Sequence, residues 1–311
     1  MFINFHQANE QVLCVTYKHS VLSNKQNVIL KQEITVCSSE EADQRIIRHM
    51  INLAKQGYTQ ALVKTVDSDV AVLSFAYADC AQEYGLENLY VLYGPDEKYY
   101  NVFENSAALG FEVCKALPFF HAFTGCDTVS SFYQHGKAKF WKVWQENLEQ
   151  NQTLTEVFKH LSDQPHIVDE HIFNTLCSFV YAACGVSASE GLSFKAMRVN
   201  HLINTPDPNL RALVPSPSGI LQHIKRACFQ AGYLWRLCEF EFILPDPVEW
   251  GWKPDGETSF IHRWQDKETT DILPLLKTCS CSKGKCSNCS CKKESMKCIR
   301  FCKCSKQICA N

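Results

Sequence analysis

The chain has 311 residues, 46% hydrophobic and 21% charged, a composition typical of globular proteins and not of disordered, collagenous or coiled-coil chains. This length predicts about two domains. The longest apolar run, Val70–Ala78, is about half the length that a membrane span needs, and the first residues lack the pattern of a secretory signal. We therefore expect an intracellular protein that has no membrane partner.

The first hundred residues predict alternating strands and helices. Gln11–Lys18 and Val28–Val36 have strand-like patterns, and a helix is predicted to begin at Ser38–Glu41 and to end at Gly57. Ala61–Val66 is a predicted buried strand. A helix over Val70–Gln82, capped by Asp69, and a strand over Leu89–Tyr93 continue the series. This alternation favours an α/β fold with a mainly parallel sheet.

From Asn101 onward the hydrophobic spacing is mainly helical. Thr205–Pro217 has the composition of a linker or long loop, and Pro245–Pro247 is predicted to open an irregular aromatic stretch. The clearest predicted helices of this half are Lys137–Leu148, Leu154–Leu161, His171–Ala183 and Ile220–Arg236. We expect domains at 1–145 (α/β), 146–265 (a mainly helical extension) and 279–309.

Charge is distributed unevenly. The net charge is −2, but residues 279–309 carry seven Lys, one Arg and one Glu, which gives +7 there and leaves −9 for the remainder. An acidic body with a basic tail is typical of chains that contact nucleic acid.

The tail also holds nine of the 18 cysteines, spaced C-x-C-x4-C-x2-C-x-C-x6-C-x3-C-x-C-x4-C. A segment this short cannot bury an adequate core. In a reducing compartment close thiol pairs favour zinc over disulfides, and an odd number of thiols cannot all pair within one chain. The predicted zinc ligands are Cys279, Cys281, Cys286, Cys289, Cys291, Cys298, Cys302, Cys304 and Cys309.

This spacing resembles the tesmin-type CXC domain. The resemblance implies that the nine cysteines hold about three zinc ions through shared sulfurs, and that the tail binds DNA. The family's DNA-contacting tyrosine has no counterpart in Lys285–Cys289. Phosphate contacts are therefore expected from Lys283, Lys285, Lys292, Lys293, Lys297 and Arg300. The alternative is a tail that only stores metal or stabilises structure.

Acidic residues recur where strands are predicted to end and helices to begin. Asp67 and Asp69 follow the strand Ala61–Val66, and Asp127 follows a Gly-Cys pair. Ligands of open α/β sheets gather at the carboxyl ends of strands, and clustered carboxylates are the ligands that Mg²⁺ or Mn²⁺ prefers. The alternative is that each acid only caps a helix or a turn.

These segments resemble the acidic signatures of flap-endonuclease-type 5′ nucleases, which have a PIN-like fold. The matching segments are Ser39–Asp43, Thr65–Asp69 and Gly125–Asp127. The resemblance implies a catalytic Mg²⁺ or Mn²⁺ site formed by Glu41, Asp43, Asp67, Asp69 and Asp127. It also implies that Lys137 and Lys139, in the place of the family's helix-turn-helix, contact DNA.

Residues 1–40 contain no aspartate, whereas the nuclease family carries its first metal-binding aspartate at the end of its first strand. We therefore expect the N-terminal part of the α/β domain to be incomplete, with a protein partner or a second copy completing the sheet. The motifs together with the CXC tail also resemble uncharacterised, transposon-associated animal proteins.

The sequence therefore predicts a nuclear DNA-binding protein with a 5′-nuclease-like fold and a zinc-binding tail. A nuclease-derived module that binds DNA or chromatin without cleaving it is the alternative. Two further features stay open: His121 is either a packing residue or an acid–base or metal group, and Lys225 and Arg226 either contact phosphate or form a solvated helix face.

Overall fold

The computed structural model divides into two units, Met1–Trp264 (the body) and Gln265–Asn311 (the tail). Within the described residues no helix is both long and apolar enough to cross a bilayer. The described residues are 14–17, 20–23, 42–146, 152–165, 168–186, 192–205, 212–238, 243–257 and 259–264 in the body, and 279, 290–293 and 302 in the tail.

The body begins with a short hairpin. Strand β1 (Cys14–Tyr17) lies within the first predicted strand and pairs antiparallel with β2 (Ser20–Ser23), which the sequence pattern did not predict. The predicted strand Val28–Val36 lies outside the described residues. Helix α1 (Ala42–Lys55) comes next, and a left-handed glycine, Gly57 with φ +87°, lies two residues after its last residue, where the sequence predicted the helix to end.

A small mixed sheet is the centre of the α/β region. Strands β3 (Gln60–Thr65) and β4 (Asn88–Tyr93) pair in parallel, with Gln60 opposite Asn88, and β5 (Lys98–Asn101) adds antiparallel to β4. Helices α2 (Ser68–Ala76) and α3 (Ala78–Glu83) connect β3 to β4. Only one of the four strand pairs in the described chain is parallel, so the fold is α/β without a confirmed mainly parallel sheet.

Helices form most of the described chain after β5, as predicted. They are α4 (Val102–Leu109), α5 (Phe111–Phe123), α6 (Lys137–Gln145), α7 (Gln152–Asp163), α8 (Glu170–Ala183), α9 (Phe194–Asn204) and α10 (Pro217–Cys228). After α10 the chain widens into a π-helical turn, Phe229–Leu234, and tightens into a 3₁₀ turn, Trp235–Cys238. The predicted helix Ile220–Arg236 is therefore helical throughout but not uniformly α.

An aromatic core crosses the predicted domain boundary at residue 145. Trp144 of α6 lies 4.9 Å from Phe120 of α5 and 5.0 Å from Phe158 of α7, measured between ring centroids. Phe158 in turn lies 5.4 Å from Phe179 of α8. Because these rings are buried against one another, residues on both sides of position 145 share one hydrophobic core.

A second hairpin ends the body. Strands β6 (Trp252–Asp255) and β7 (Ser259–His262) pair antiparallel in the stretch that the sequence predicted to be irregular. Gly251, which precedes β6, has φ +85° and approaches α10 so closely that a Cβ there would lie 2.4 Å from the Gln222 carbonyl oxygen. The tail contains one short described helix, α11 (Ser290–Lys293).

Candidate functional site

Three cysteines of the tail converge although they are eleven or twelve residues apart in the chain. Cys279, Cys291 and Cys302 are buried, and their sulfur atoms all lie within 4.8 Å of one another. Among the described residues, these three form the only group of three or more potential metal ligands that lie this close together. The group could hold a metal ion.

The sulfur geometry fits a shared cation. Cys291 Sγ and Cys302 Sγ are 3.6 Å apart, too far for a disulfide, whose S–S bond is about 2.05 Å. Two thiolates bound tetrahedrally at a Zn–S distance of about 2.3 Å are separated by about 3.8 Å. The Cys279 backbone N–H donates to Cys302 Sγ at 3.4 Å, a type of contact that orients metal-binding sulfur atoms.

Without a cation, the Cys291 thiol resists ionisation. Burial and the nearby Cys302 and Cys279 thiols raise the pKa of Cys291 to about 12. A bound dication reverses this, because it neutralises the thiolates that ligate it. The group therefore has the burial and the donor atoms of a metal site.

Helix α11 gives the tail two faces. Its Cys291 is buried, whereas Lys292 and Lys293 are exposed, so one turn presents a thiol to the interior and two ammonium groups to solvent. The other predicted tail residues lie outside the described residues; these are Cys281, Cys286, Cys289, Cys298, Cys304, Cys309, Lys283, Lys285, Lys297 and Arg300.

In the body, the Thr65–Asp69 segment turns at the carboxyl end of β3. The exposed Asp67 is the N-cap of α2, and its Oδ1 accepts from the Asp69 N–H at 2.9 Å. Its own N–H donates to Thr65 Oγ1 at 2.9 Å. The prediction that Asp69 caps this helix is wrong. Helix α2 begins two residues earlier than predicted, and its N-cap is Asp67.

Asp69 instead pairs with a buried histidine. His121 Nε2 lies 2.8 Å from Asp69 Oδ1, and both side chains are largely buried. Ser68 Oγ lies 3.4 Å from the same Nε2. Because the carboxylate and the hydroxyl contact one nitrogen, this group lacks the relay of a Ser-His-Asp triad, in which they occupy opposite nitrogens.

Lys137 lies beside this pair, and its ammonium group binds polar groups at the C-terminal end of α5. Its ammonium donates to the carbonyl oxygen of His121 at 2.7 Å, to that of Gly125, and to Thr124 Oγ1 at 3.3 Å. Burial lowers the pKa of Lys137 to about 8. Lys139 is exposed and donates to His135 Nδ1 at 3.1 Å.

The remaining predicted acids are Asp43, Asp127 and Glu41. Asp43 lies in the first turn of α1, Asp127 is exposed after Cys126, and Glu41 lies outside the described residues. The described acids Asp43, Asp67, Asp69 and Asp127 do not form a group of three or more ligand atoms within 4.8 Å. The structure therefore brings Asp67 together with Asp69 and Asp69 together with His121, and neither Asp43 nor Asp127 completes a three-ligand group with them.

A polar network that the sequence did not predict lies deeper in the body. Ser130 Oγ lies 2.8 Å from His223 Nδ1, and His223 Nε2 donates to the Phe123 carbonyl oxygen at 2.6 Å. The Arg226 guanidinium donates from Nη2 to Ser130 Oγ at 3.0 Å. Arg226 is only 1% exposed. The interpretation that it forms part of a solvated helix face is therefore wrong. A signal was available, since His223 and Arg226 are three residues apart on an amphipathic helix.

The Ser130–His223 pair resembles a nucleophile and its base, but burial makes this imidazole a weak base. Burial lowers the pKa of His223 to about 3. A general base works best when its pKa lies near the working pH. The histidine is therefore a neutral structural group that accepts from Ser130 and donates to Phe123.

This histidine predicts acid sensitivity. Its pKa is about 3 in the folded state and about 6.5 when unfolded, so below pH 6 the unfolded state binds more protons. As the pH falls from 6 to 3.5, we expect protonation of His223 in the unfolded state to lower the free energy of unfolding by about 1.4 kcal/mol per pH unit. Urea unfolding of wild type and His223→Gln at several pH values measures this. A slope that is the same in both proteins would contradict it.

Comparisons with known proteins found no match: no protein-family model, no curated protein and no solved structure matches the chain.

Proposed function

We propose that this chain is a DNA-binding protein whose tail is a zinc–thiolate cluster and whose body is a nuclease-derived α/β module. The observation that carries the proposal is the convergence of Cys279, Cys291 and Cys302 into one buried group. The tail's spacing resembles a zinc-binding DNA module, and three of its nine thiols approach one another as a cluster requires. In this proposal the protein acts in the nucleus.

Charge supports nucleic acid as the partner. Residues 279–309 of the tail carry +7 before metal is bound, and nine thiolates neutralised by three dications add −3, which leaves about +4 for this segment. Lys292 and Lys293 are exposed beside the buried Cys291, so these ammonium groups are accessible to phosphate. Contacts of this kind are electrostatic and are expected to weaken steeply with salt.

A metal-dependent phosphodiesterase is the second candidate. It is favoured by the position of Asp67 and Asp69 at the carboxyl end of β3, where α/β folds bind ligands. The 2.8 Å contact between Asp69 and His121 opposes it, because a metal ion would have to compete for that carboxylate. We therefore place binding first and cleavage second.

Binding and cleavage are tested with the full chain and a labelled DNA duplex that carries a 5′ flap. We expect binding whose affinity falls linearly with salt on logarithmic axes. The variant Lys292→Gln/Lys293→Gln should reduce that slope by about two, because each phosphate contact contributes about one. The exposed pair Lys98→Gln/Lys195→Gln removes the same charge from the body and should leave the slope unchanged.

Cleavage is followed in the same mixtures after Mg²⁺ or Mn²⁺ is added. The second candidate requires cutting that Asp67→Asn/Asp69→Asn abolishes and that Asp96→Asn, in an exposed turn, retains. Binding without cutting supports the interaction module. Absence of binding, or binding that does not respond to salt or to the tail lysines, contradicts the proposed function.

A further inference from the structure

A cavity of about 250 Å³ opens in the body between α10 and the loop that precedes α6. One face of α10 contributes Gly219, Ile220, His223 and Arg226, which recur at helical spacing. The opposite wall is formed by residues 130–133 and by His135, and Trp264 lies at the side. All of these residues belong to the body.

Arg226 brings a buried positive charge to this cavity. Its Nη1 donates to the carbonyl oxygens of Gly251 at 2.9 Å and Arg263 at 2.7 Å, and its Nη2 donates to Ser130 Oγ. These acceptors are neutral, and Arg226 has no carboxylate partner within the described chain. A buried charge without a counter-ion is costly, because neutral dipoles replace its hydration only in part.

The guanidinium also keeps unused donors. Of its five N–H groups, three are accounted for by the bonds to Gly251, Arg263 and Ser130. Its Nε is buried and has no hydrogen-bond partner among the described residues. The remaining N–H of Nη2 is therefore available to a ligand oxygen, whereas Nε is enclosed by protein atoms. Arginine is the residue best suited to bind planar or tetrahedral oxyanions through such donors.

The rest of the wall favours negative charge as well. No Asp or Glu lines the cavity in the described chain, whereas Ser131 and Ser216 do. Ser130 also lines it, but its proton is already donated to His223. Ser216 is the N-cap of α10, so the positive end of a twelve-residue helix lies at the same wall. Arg226, from the last turn of the same helix, also lines the cavity.

We propose that this cavity binds the phosphate group of a small organic molecule, with Arg226 as its principal ligand. The hydroxyls of Ser131 and Ser216 add neutral donors to the Arg226 charge, an arrangement that suits the several oxygens of a phosphate better than the two of a carboxylate. The volume exceeds that of a bare phosphate, and the exposed rings of Tyr133 and Trp264 line the opening, so the attached group is an aromatic or similarly flat one. This site is independent of the tail.

Phenyl phosphate is the probe, with inorganic phosphate, phenol and benzoate as comparisons, measured by calorimetry on the full chain at constant ionic strength. We expect phenyl phosphate to bind with a Kd below about 1 mM, more tightly than each comparison compound. Arg226→Met removes the charge and keeps the aliphatic stem, and should weaken binding by at least about tenfold. Arg236→Met removes an arginine outside the cavity and should bind as wild type does.

Arg226 also donates hydrogen bonds to Gly251 and Arg263 on either side of the second hairpin, so its replacement could unfold the body. A second variant therefore tests the cavity while Arg226 is retained. Ala212→Phe fills the cavity without removing Arg226, and should abolish binding while tryptophan fluorescence shows a folded body. Lys292→Gln/Lys293→Gln should leave binding intact, because the site lies in the body. The proposal is overturned if wild type binds no phenyl phosphate, if benzoate binds equally well, or if Ala212→Phe retains affinity.

Discussion

Replacing Cys291 with serine is expected to remove zinc from the tail and to abolish its binding of DNA. Elemental analysis of the wild-type chain should give about three zinc ions, the number implied by nine thiolates with shared sulfurs. Cys291 is fully buried and its sulfur lies 3.6 Å from that of Cys302, so a serine there removes a ligand from the centre of the group. Because structural zinc binding is also folding free energy, on the order of 10 kcal/mol, the loss should be complete rather than graded.

The control for this variant is Cys80→Ser, which replaces a half-buried cysteine of α3 in the body. It should retain all of the zinc and the affinity for DNA. All six tryptophans precede residue 265, so their fluorescence during urea unfolding reports on the body alone and should be unchanged in Cys291→Ser. Wild type with less than one zinc per chain, or Cys291→Ser with its full zinc content, would exclude the cluster.

Local patterns were sufficient to predict the elements around the small sheet. Helix α1, strand β3 and strand β4 have the apolar spacing of their class, and Gly57 and Gly94 mark where two of them end. The cysteine group was predictable for a similar reason, because the spacing of the cysteines along the sequence is itself typical of metal ligands.

Long-range pairings were not predictable in this way. Asp69 has the sequence context of a helix cap, but its partner His121 is 52 residues away, and the sequence left the role of this histidine open. With Asp at both 67 and 69, either residue satisfies the capping pattern, and only the tertiary contact to His121 decides between them. The sequence therefore located the acidic segment without giving the role of each acid.

The second hairpin and the buried arginine were missed for related reasons. Strand β6 contains Pro254, which is typical of irregular or edge segments, and β7 is only four residues long. Arg226 lies on an amphipathic helix, where a charged residue is normally expected at the surface. Its burial depends on acceptors supplied by Gly251, Arg263 and Ser130, which lie 25 to 96 residues away.

Replacing Gly251 with alanine is expected to destabilise the body by about 3 kcal/mol or more. Its φ of +85° costs an alanine about 1–2 kcal/mol, and the new Cβ would lie 2.4 Å from the Gln222 carbonyl oxygen and 3.1 Å from Arg226 Cγ. The hairpin must then move away from α10, and this movement breaks the hydrogen bond from the Arg226 guanidinium to the Gly251 carbonyl oxygen. A buried donor left without its acceptor costs a further 1–3 kcal/mol or so.

Gly256→Ala is the matched control, because Gly256 has a similar φ of +79° but nothing within 4 Å of an added Cβ. This variant should lower the free energy of unfolding only by the cost of placing alanine at a positive φ, about 1–2 kcal/mol. Urea unfolding followed by tryptophan fluorescence gives both values. The difference between the two variants then measures the close approach of the hairpin to α10. Equal losses in both would mean that this contact, and the arginine that depends on it, contribute little to the body's stability.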